Sequence, residues 1–489
     1  MRYRRDLRRR PPLWAIALAA AAAFGAAACS RRGEPRPNVF VLLVDALRGD
    51  HVAQGRDDPS LTPFLDGLAR EGALFSRARA QSSWTNPSVA SLFTSRYPSQ
   101  HGVVEFTVGL AESEHTLAEL FRDAGYRTAA FSGNVLIAPA AGFDQGFEQF
   151  VNLGKGKRAP GAEVKPRAAE IDQAALNWLD SLPQGAERPP VFVYLHYMET
   201  HTPYQPTPAV LERVLAARKR SPAHRRRLGE LVFHPHRFDP PTQETADLME
   251  DLYAADLAGF DEELKVFFGH LSRRGYLDRA IVILTADHGE EFFEHGRIGH
   301  GHTLYDEVLR VPLVLRQWGV ESAPQEVSDP VSLIDIAPTL AASAGVDSPQ
   351  SFEGRSLLPL LANGRRASVR SFACRSLGLG CPPPAASLAE LLKLPAKGDT
   401  SAHHERSLVI GERKLIRFDE GRVETYDLRA DPAESGRIVL PPEEAQGLES
   451  ALAERVGRLT SSSASAAARP TMDEATRDRL RALGYSPDD

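Results

Sequence analysis

Asn38-Val39-Phe40-Val41-Leu42-Leu43-Val44-Asp45 is a continuous apolar run closed by a carboxylate. A run with no polar alternation reads as a strand buried on both faces, and so as part of a parallel sheet covered by helices. A second run, Ala280-Ile281-Val282-Ile283-Leu284-Thr285-Ala286, has the same character and closes on Asp287-His288-Gly289-Glu290. Open α/β sheets place their sites at the C-terminal ends of such strands, which makes both acids candidate site residues. Between them in the chain lies Ser83-Trp84-Thr85-Asn86-Pro87-Ser88-Val89-Ala90-Ser91-Leu92-Phe93-Thr94, where a polar run gives way to a helix-compatible one. Pro87 suits the first helical turn, with Asn86 or Thr85 as the cap. A helix N-terminus favours negative charge, as an oxygen needs when it must become an alkoxide and attack an anionic ester. The Thr85 hydroxyl sits at that place.

In this order the pieces resemble the sulfatase branch of the alkaline phosphatase superfamily. Its pattern is apolar strand–Asp, then nucleophile-x-Pro-Ser, then apolar strand–Asp-His-Gly. Thr94-Ser95-Arg96-Tyr97-Pro98-Ser99-Gln100-His101-Gly102-Val103 supports it, as does Leu304-Tyr305-Asp306-Glu307 leading into Arg310-Val311-Pro312-Leu313. The resemblance runs from about Asn38 to Leu428. It implies an α/β fold, a mostly parallel sheet sandwiched by helices, with a small C-terminal antiparallel subdomain. The alternation of helix and strand through Thr62–Gly72, His115–Ala124, Tyr126–Phe131, Ile171–Leu182 and Val191–Leu195 agrees.

Asp45, Thr85 and Asp287 offer hard oxygens and His288 a neutral nitrogen, a set that suits one divalent ion. The imidazole tilts the choice toward Zn or Mn, with Mg or Ca also open. The strand at Val191 ends in His196-Tyr197-Met198-Glu199-Thr200-His201-Thr202-Pro203-Tyr204. In sulfatase-like enzymes the position of His201 faces the ester group, to hold an anionic oxygen or protonate a leaving alkoxide. Asp287-His288 leads into Gly296-Arg297-Ile298-Gly299-His300-Gly301-His302. The resemblance makes Thr85, His201 and His302 the catalytic candidates, and His196, His300 and Arg310 the substrate-binding ones. The partner implied is an anionic ester.

Two departures matter. Sulfatases mature a Cys or Ser, followed by Pro and then Arg, into formylglycine; here Thr85 holds the nucleophile slot and Val89 the arginine slot. Threonine cannot become that aldehyde, whereas relatives that cleave or transfer phosphate esters use it. Lysine is usual near His302, and Ala46 replaces a second acid of calcium sulfatases. Phosphate-ester hydrolysis leads, with sulfate-ester hydrolysis, phosphoglycerol or phosphoethanolamine transfer, and a non-catalytic metal-stabilised binding lipoprotein as alternatives.

The 489 residues are 25% charged and 42% hydrophobic, a globular composition. Arg2, Arg4, Arg5, Arg8, Arg9 and Arg10 precede the apolar stretch Leu13 to Ala28, which closes on Ala27-Ala28-Cys29-Ser30. That is a secretory signal, and Cys29 resembles a lipoprotein attachment site; an uncleaved membrane anchor is the alternative. Either ties the protein to a membrane, exported to the periplasm or cell surface. The formal charge is −6, and losing those arginines makes it more negative, which argues against a nucleic-acid partner. Cys374 and Cys381 are close enough to form a small disulfide loop after export. The arginine-rich stretch 207–241 reads as a solvated insertion, with an anionic lipid or glycan contact as the alternative. Gly154 to Arg167, rich in Lys, Gly and Pro, reads as an exposed loop. The expected organisation is a signal segment over 1–29, a catalytic domain over 38–345 and a C-terminal subdomain over 346–460. A linker and terminal helix over 461–489 complete it.

Overall fold

The Asn38 run forms strand β1, Asn38–Val44, in which Val39 to Val44 are fully buried. In this computed structural model the described residues are 36–53, 61–106, 108–155, 165–233, 240–320, 324–363, 386–393, 403–438, 440–460 and 477. Cys29, Cys374, Cys381, the signal segment and the 461–468 linker lie outside them. From Pro37 onward the chain forms one compact unit.

An eight-stranded sheet is built around β1. Its other members are β2 (Ala73–Phe75), β3 (Arg127–Ser132), β4 (Gln149–Asn152), β5 (Val191–Tyr197), β6 (Ala280–Thr285), β7 (Leu313–Trp318) and β8 (Gln325–Val327). The spatial order is β8-β2-β7-β6-β1-β5-β3-β4. β6, β1, β5, β3 and β4 are parallel, and β7 runs against both of its neighbours. Register sets the site: Leu43 of β1 lies opposite Thr285 of β6 and His196 of β5. Asp45 and Asp287, each two residues beyond that row, therefore leave the same edge of adjacent strands.

Helices cover the sheet: α1 (Pro63–Glu71), α2 (Thr85–Thr94), α3 (Ala168–Ser181), α4 (Pro208–Ala217), α5 (Pro222–Phe233), α6 (Gln243–Arg273) and α7 (Ile336–Ala344). In α6, Leu257, Phe260, Leu264, Phe267 and Leu271 recur three or four residues apart and are buried, so one stripe faces the core. Within the arginine-rich stretch, Pro208–Ala217 and Pro222–Phe233 are helical. Arg213 meets Glu262 at 2.6 Å, Arg218 meets Asp251 at 2.7 Å, and Arg227 meets Glu244 at 3.1 Å, so acids of α6 answer its charge.

Downstream, β9 (Ala386–Lys393), β10 (His403–Ile410), β11 (Arg413–Arg417) and β12 (Val423–Asp427) form a four-stranded antiparallel meander beside α8 (Pro442–Thr460). No pattern in Ala-Ser-Leu-Ala-Glu-Leu-Leu-Lys announces β9, whose composition favours helix. Pairing along all eight residues with β10 overrides that preference. Buried Lys414 of β11 ties the meander to Asp306, in the short helix Asp306–Leu309 ahead of β7, at 2.8 Å from Oδ1, and lies 2.8 Å from Glu434 Oε1.

His101 illustrates a buried imidazole with a structural role. The Val103 N–H donates to its Nδ1 at 3.1 Å, so Nε2 carries the proton and faces Ser91 Oγ at 3.0 Å. Burial, reinforced by Arg96, pushes its pKa down to about 3 from 6.5. Between those values the unfolded chain binds a proton that the folded one refuses, so stability falls as pH drops below 6.5. The expected slope from this one group is roughly 1.4 kcal/mol per pH unit. Urea unfolding from pH 7 to 4 should show it, and His101→Gln should flatten the curve; an unchanged slope counts against this assignment.

Candidate active site

Helix α2 begins one residue earlier than capping by Thr85 requires, and two earlier than capping by Asn86. Trp84 is the N-cap, extended at φ −155° and ψ 165°, and its side chain makes no capping bond. Thr85 is the first helical residue and Pro87 the third. Its hydroxyl is thus not consumed by the helix that presents it.

Thr85, Asp45, Asp287 and His288 are each fully buried and converge. His288 Nε2 lies 3.3 Å from Thr85 Oγ1, 3.5 Å from Asp45 Oδ1 and 3.5 Å from Asp287 Oδ2. His288 Nδ1 is 2.8 Å from the Gly289 carbonyl, which fixes the proton there and turns the Nε2 lone pair inward. Gly289 itself is required: a Cβ would stand 2.1 Å from the Glu307 carbonyl. Asp45 Oδ1 and Asp287 Oδ2 are buried with no hydrogen-bond partner. Burial opposes ionisation of Asp45, but His201, His196 and His288 outweigh it and hold its carboxyl far below the usual range. Burial, with Asp45 beside it, pushes Asp287 up.

These donors fit one divalent cation. Ligands about 2.0–2.2 Å from a tetrahedral ion lie roughly 3.3–3.6 Å from one another, which matches the observed separations. A cation between the two acids also removes the repulsion that raises Asp287. Asp45, His196 and Asp287 form a second tight group, with ligand atoms within 4.8 Å of one another. His196 suits an outer role better. Its Nε2 is 3.0 Å from Asp45 Oδ2 and its Nδ1 2.9 Å from the Tyr194 hydroxyl, so it orients a ligand.

The surrounding histidines differ in state. His201 Nδ1 is 2.6 Å from the Thr202 carbonyl. Burial, with His300 nearby, takes its pKa down to about 4. His300 Nδ1 meets Glu290 Oε1 at 2.9 Å, and the Tyr204 hydroxyl donates to Glu290 Oε2 at 3.2 Å. Burial disfavours the His300 cation, but Glu290 outweighs it and raises the pKa. The His300 ring stands 4.2 Å from that of His288 and 5.0 Å from that of His201.

Two candidates are not gathered with this cluster. His302 has both ring nitrogens engaged, Nε2 by Glu291 Oε2 at 3.0 Å and Nδ1 by the His300 carbonyl at 3.1 Å. Arg310 donates from Nε to the Ser76 carbonyl at 3.1 Å and lines a separate cavity with Arg77, Arg79, Asp306 and Glu412. Strand pairing beside Arg79, not proximity in sequence to Asp287, decides its direction. Sequence reasoning missed Asn134, whose Nδ2 donates to Asp45 Oδ2 at 2.7 Å, and Thr200, whose hydroxyl donates to the Asp45 carbonyl at 2.6 Å. Asn134 follows the C-terminal end of β3, the same signal that exposed Asp45 and Asp287.

The sulfatase family profile matches residues 37–346. The chain belongs to the sulfatase family. It is therefore an ester hydrolase of the alkaline phosphatase-like superfamily, and the family is metal-dependent. A multifunctional alkaline phosphatase superfamily protein, PehA, of Trinickia caryophylli is 26% identical over 414 residues, covering 69% of this chain and 79% of that protein. An N-acetylglucosamine-6-O-sulfatase of Bacteroides thetaiotaomicron is 23% identical over 506 residues, covering 85% and 86%. Among solved structures, the phosphonate monoester hydrolase of Agrobacterium radiobacter superposes with a TM-score of 0.67 at 22% identity, covering 87% of this sulfatase-family chain and 96% of that one. BT4656 in complex with its substrate D-glucosamine-2-N,6-O-disulfate gives 0.68 at 21% identity, covering 87% and 98%. At these identities the structural likeness speaks to the fold.

Proposed function

We propose that this sulfatase-family chain hydrolyses phosphate esters through a covalent Thr85 intermediate, with one divalent ion held by Asp45, Thr85, Asp287 and His288. The carrying observation is the placement of a threonine hydroxyl, 3.3 Å from His288 Nε2, where formylglycine-dependent relatives need a Cys or Ser. Zn or Mn suits the compact set with one imidazole better than Ca or Mg. When bound, such an ion supplies Lewis acidity, lowering the hydroxyl pKa and polarising a non-bridging ester oxygen.

The chain's own residues supply the rest. Thr85 Oγ attacks phosphorus in line, the ester bond to the leaving oxygen breaks, and the His300 Nε2–H, set by Glu290 on the other ring nitrogen, donates a proton to that oxygen. His201, whose pKa burial lowers to about 4, is neutral near pH 7 and so suited to accept rather than donate. It takes a proton from the water that cleaves the Thr85 ester. His196 and Asn134 steer Asp45. His302 and Arg310, with their groups engaged elsewhere, have no substrate role in this reading. Export and lipid attachment at Cys29 belong to the proposal on the strength of the basic, apolar and small-residue order of residues 1–30; among the described residues no helix is long and apolar enough to cross a membrane.

The name of PehA and that of the phosphonate monoester hydrolase favour phosphorus esters, whereas the sulfatase names among the relatives favour sulfate esters as the second reading. A screen of the purified protein against 4-nitrophenyl phosphate, bis(4-nitrophenyl) phosphate, 4-nitrophenyl phenylphosphonate and 4-nitrophenyl sulfate separates them. At least one phosphorus ester should exceed the sulfate by tenfold or more in kcat/KM, roughly 1.4 kcal/mol of barrier. Faster sulfate turnover than any of the three overturns the phosphate reading.

A further inference from the structure

In each acid of the buried cluster, two N–H groups tie down one carboxylate oxygen and leave the other bare. Asp45 Oδ2 takes the Asn134 Nδ2–H at 2.7 Å and meets His196 Nε2 at 3.0 Å, while its Oδ1 has no hydrogen-bond partner. Asp287 Oδ1 takes the Ala46 N–H at 3.3 Å and the His288 N–H at 3.1 Å, while its Oδ2 has none. The lock from Asn134 has a fixed direction. Asn134 Oδ1 accepts the Leu136 N–H at 2.8 Å, so the amide is not free to flip and Nδ2 faces Asp45. Its backbone is held as well, because its N–H donates to Ser132 Oγ at 3.2 Å and the Asn152 amide donates to its carbonyl at 2.8 Å. On the other side, His196 Nδ1 accepts the Tyr194 hydroxyl at 2.9 Å, so Nε2 carries the proton that the acid receives. Ser132 and His196 stand opposite each other in the sheet, and that register brings both donors to one oxygen. Asp45, Asn134 and His196 are all 0% exposed, so solvent does not compete for it.

We propose that Asn134 is a positioning residue that selects the ion: with His196 it closes Asp45 Oδ2 and confines that acid to a single metal bond, which favours zinc over calcium. This rests on the metal site proposed above. With Asp287 held to one oxygen in the same way, the chain offers four donors, Asp45 Oδ1, Thr85 Oγ1, Asp287 Oδ2 and His288 Nε2. Calcium takes about six to eight oxygens, often with bidentate carboxylates among them, whereas zinc is satisfied by about four donors and accepts imidazole. For Asp45 to offer calcium its second oxygen, two buried N–H groups would have to give up their acceptor in a site closed to water. Ala46, at φ 60°, turns its N–H onto Asp287 and adds no ligand oxygen, so it works in the same direction. Removing the Asn134 amide frees Asp45 to turn and offer both oxygens, which helps calcium and loosens the fit for zinc.

The test uses the full-length protein, purified without chelator and dialysed to equilibrium against mixtures of zinc and calcium at fixed free concentrations. The bound ions are then counted by elemental analysis. Wild type should fill with zinc even when calcium is in roughly hundredfold excess. Asn134→Ala should move the bound zinc-to-calcium ratio toward calcium by about tenfold or more. His196→Ala, which removes the other donor to Asp45 Oδ2, should move the ratio in the same direction. Should Asn134→Ala not fold, as judged by circular dichroism, Asn134→Asp is read in the same way. That variant keeps an acceptor for the Leu136 N–H and loses the donor to Asp45. A purely structural asparagine would lower total metal and leave the ratio unchanged, and that result overturns the proposal. Zinc-filled wild type with an unmoved ratio in the Asn134 variants removes only the role of Asn134. Wild type that fills with calcium, or binds neither ion, removes the zinc site itself and this inference with it.

Discussion

Thr85→Ala is expected to cut turnover on the order of a thousandfold or more, about 4 kcal/mol of barrier. The substitution deletes an oxygen that serves at once as nucleophile and as one corner of the donor cluster facing His288 Nε2. Thr85→Ser keeps that oxygen and loses a methyl group, so much of the activity should remain. Because Thr85 is fully buried at the first position of α2, both variants should fold; alanine is the better helix former. Steady-state rates on the preferred 4-nitrophenyl ester settle the matter. Near-wild-type activity in Thr85→Ala would remove the nucleophile assignment. Thr85→Cys gives a sharper contrast between chemistries. Even with Val89→Arg and a maturing enzyme supplied, it should gain aryl sulfatase activity only if the pocket already fits sulfate.

Loss of the metal should follow replacement of Asp287. Asp287→Ala removes one of two carboxylates and also the acceptor for the Ala46 N–H at 3.3 Å and the His288 N–H at 3.1 Å. Occupancy, measured by elemental analysis on protein purified without chelator, should fall roughly tenfold or more. Asp287→Asn separates charge from scaffolding: it keeps an oxygen for the two N–H groups while removing the negative charge. It should fold as well as the parent, lose most of the ion, and lose the stabilisation that added Zn or Mn gives the parent in a melting experiment. Full metal content in either variant would dismiss Asp287 as a ligand.

Several histidines look alike in the sequence and part company in the fold. His288, His300 and His302 lie within fifteen residues of one another, each beside glycine, yet one turns a lone pair into the acid pair, one has its pKa raised by Glu290, and one is tied off by Glu291. Their states depend on which carboxylate or carbonyl each Nδ1 reaches, and those partners are set by how the loop doubles back. Lys165, 3% exposed with its Nζ 2.8 Å from the Glu199 carbonyl oxygen and 2.5 Å from that of His201, shows the same dependence more strongly. Nothing in a Lys-, Gly- and Pro-rich stretch distinguishes a lysine that waves in solvent from one that closes two buried carbonyls.

By itself the sequence determined what is local or one-dimensional. Uninterrupted apolar runs define buried strands, and the residue that ends such a run must lie at the strand's C-terminal edge, so Asp45 and Asp287 were legible as site residues. The order strand–Asp, Thr-x-Pro-Ser, strand–Asp-His-Gly likewise carried the family and its α/β architecture. Only the tertiary structure decided which side chains converge: parallel register puts His196 and Asn134 on Asp45, while strand pairing turns Arg310 away to another cavity. It also decided that Ala386–Lys393 is a strand and that α2 starts at Thr85, whose hydroxyl faces His288 instead of capping the helix. Such features rest on hydrogen bonds and burial between segments tens to hundreds of residues apart. A periodicity of two or of 3.6 residues cannot record them, because neither names the partner.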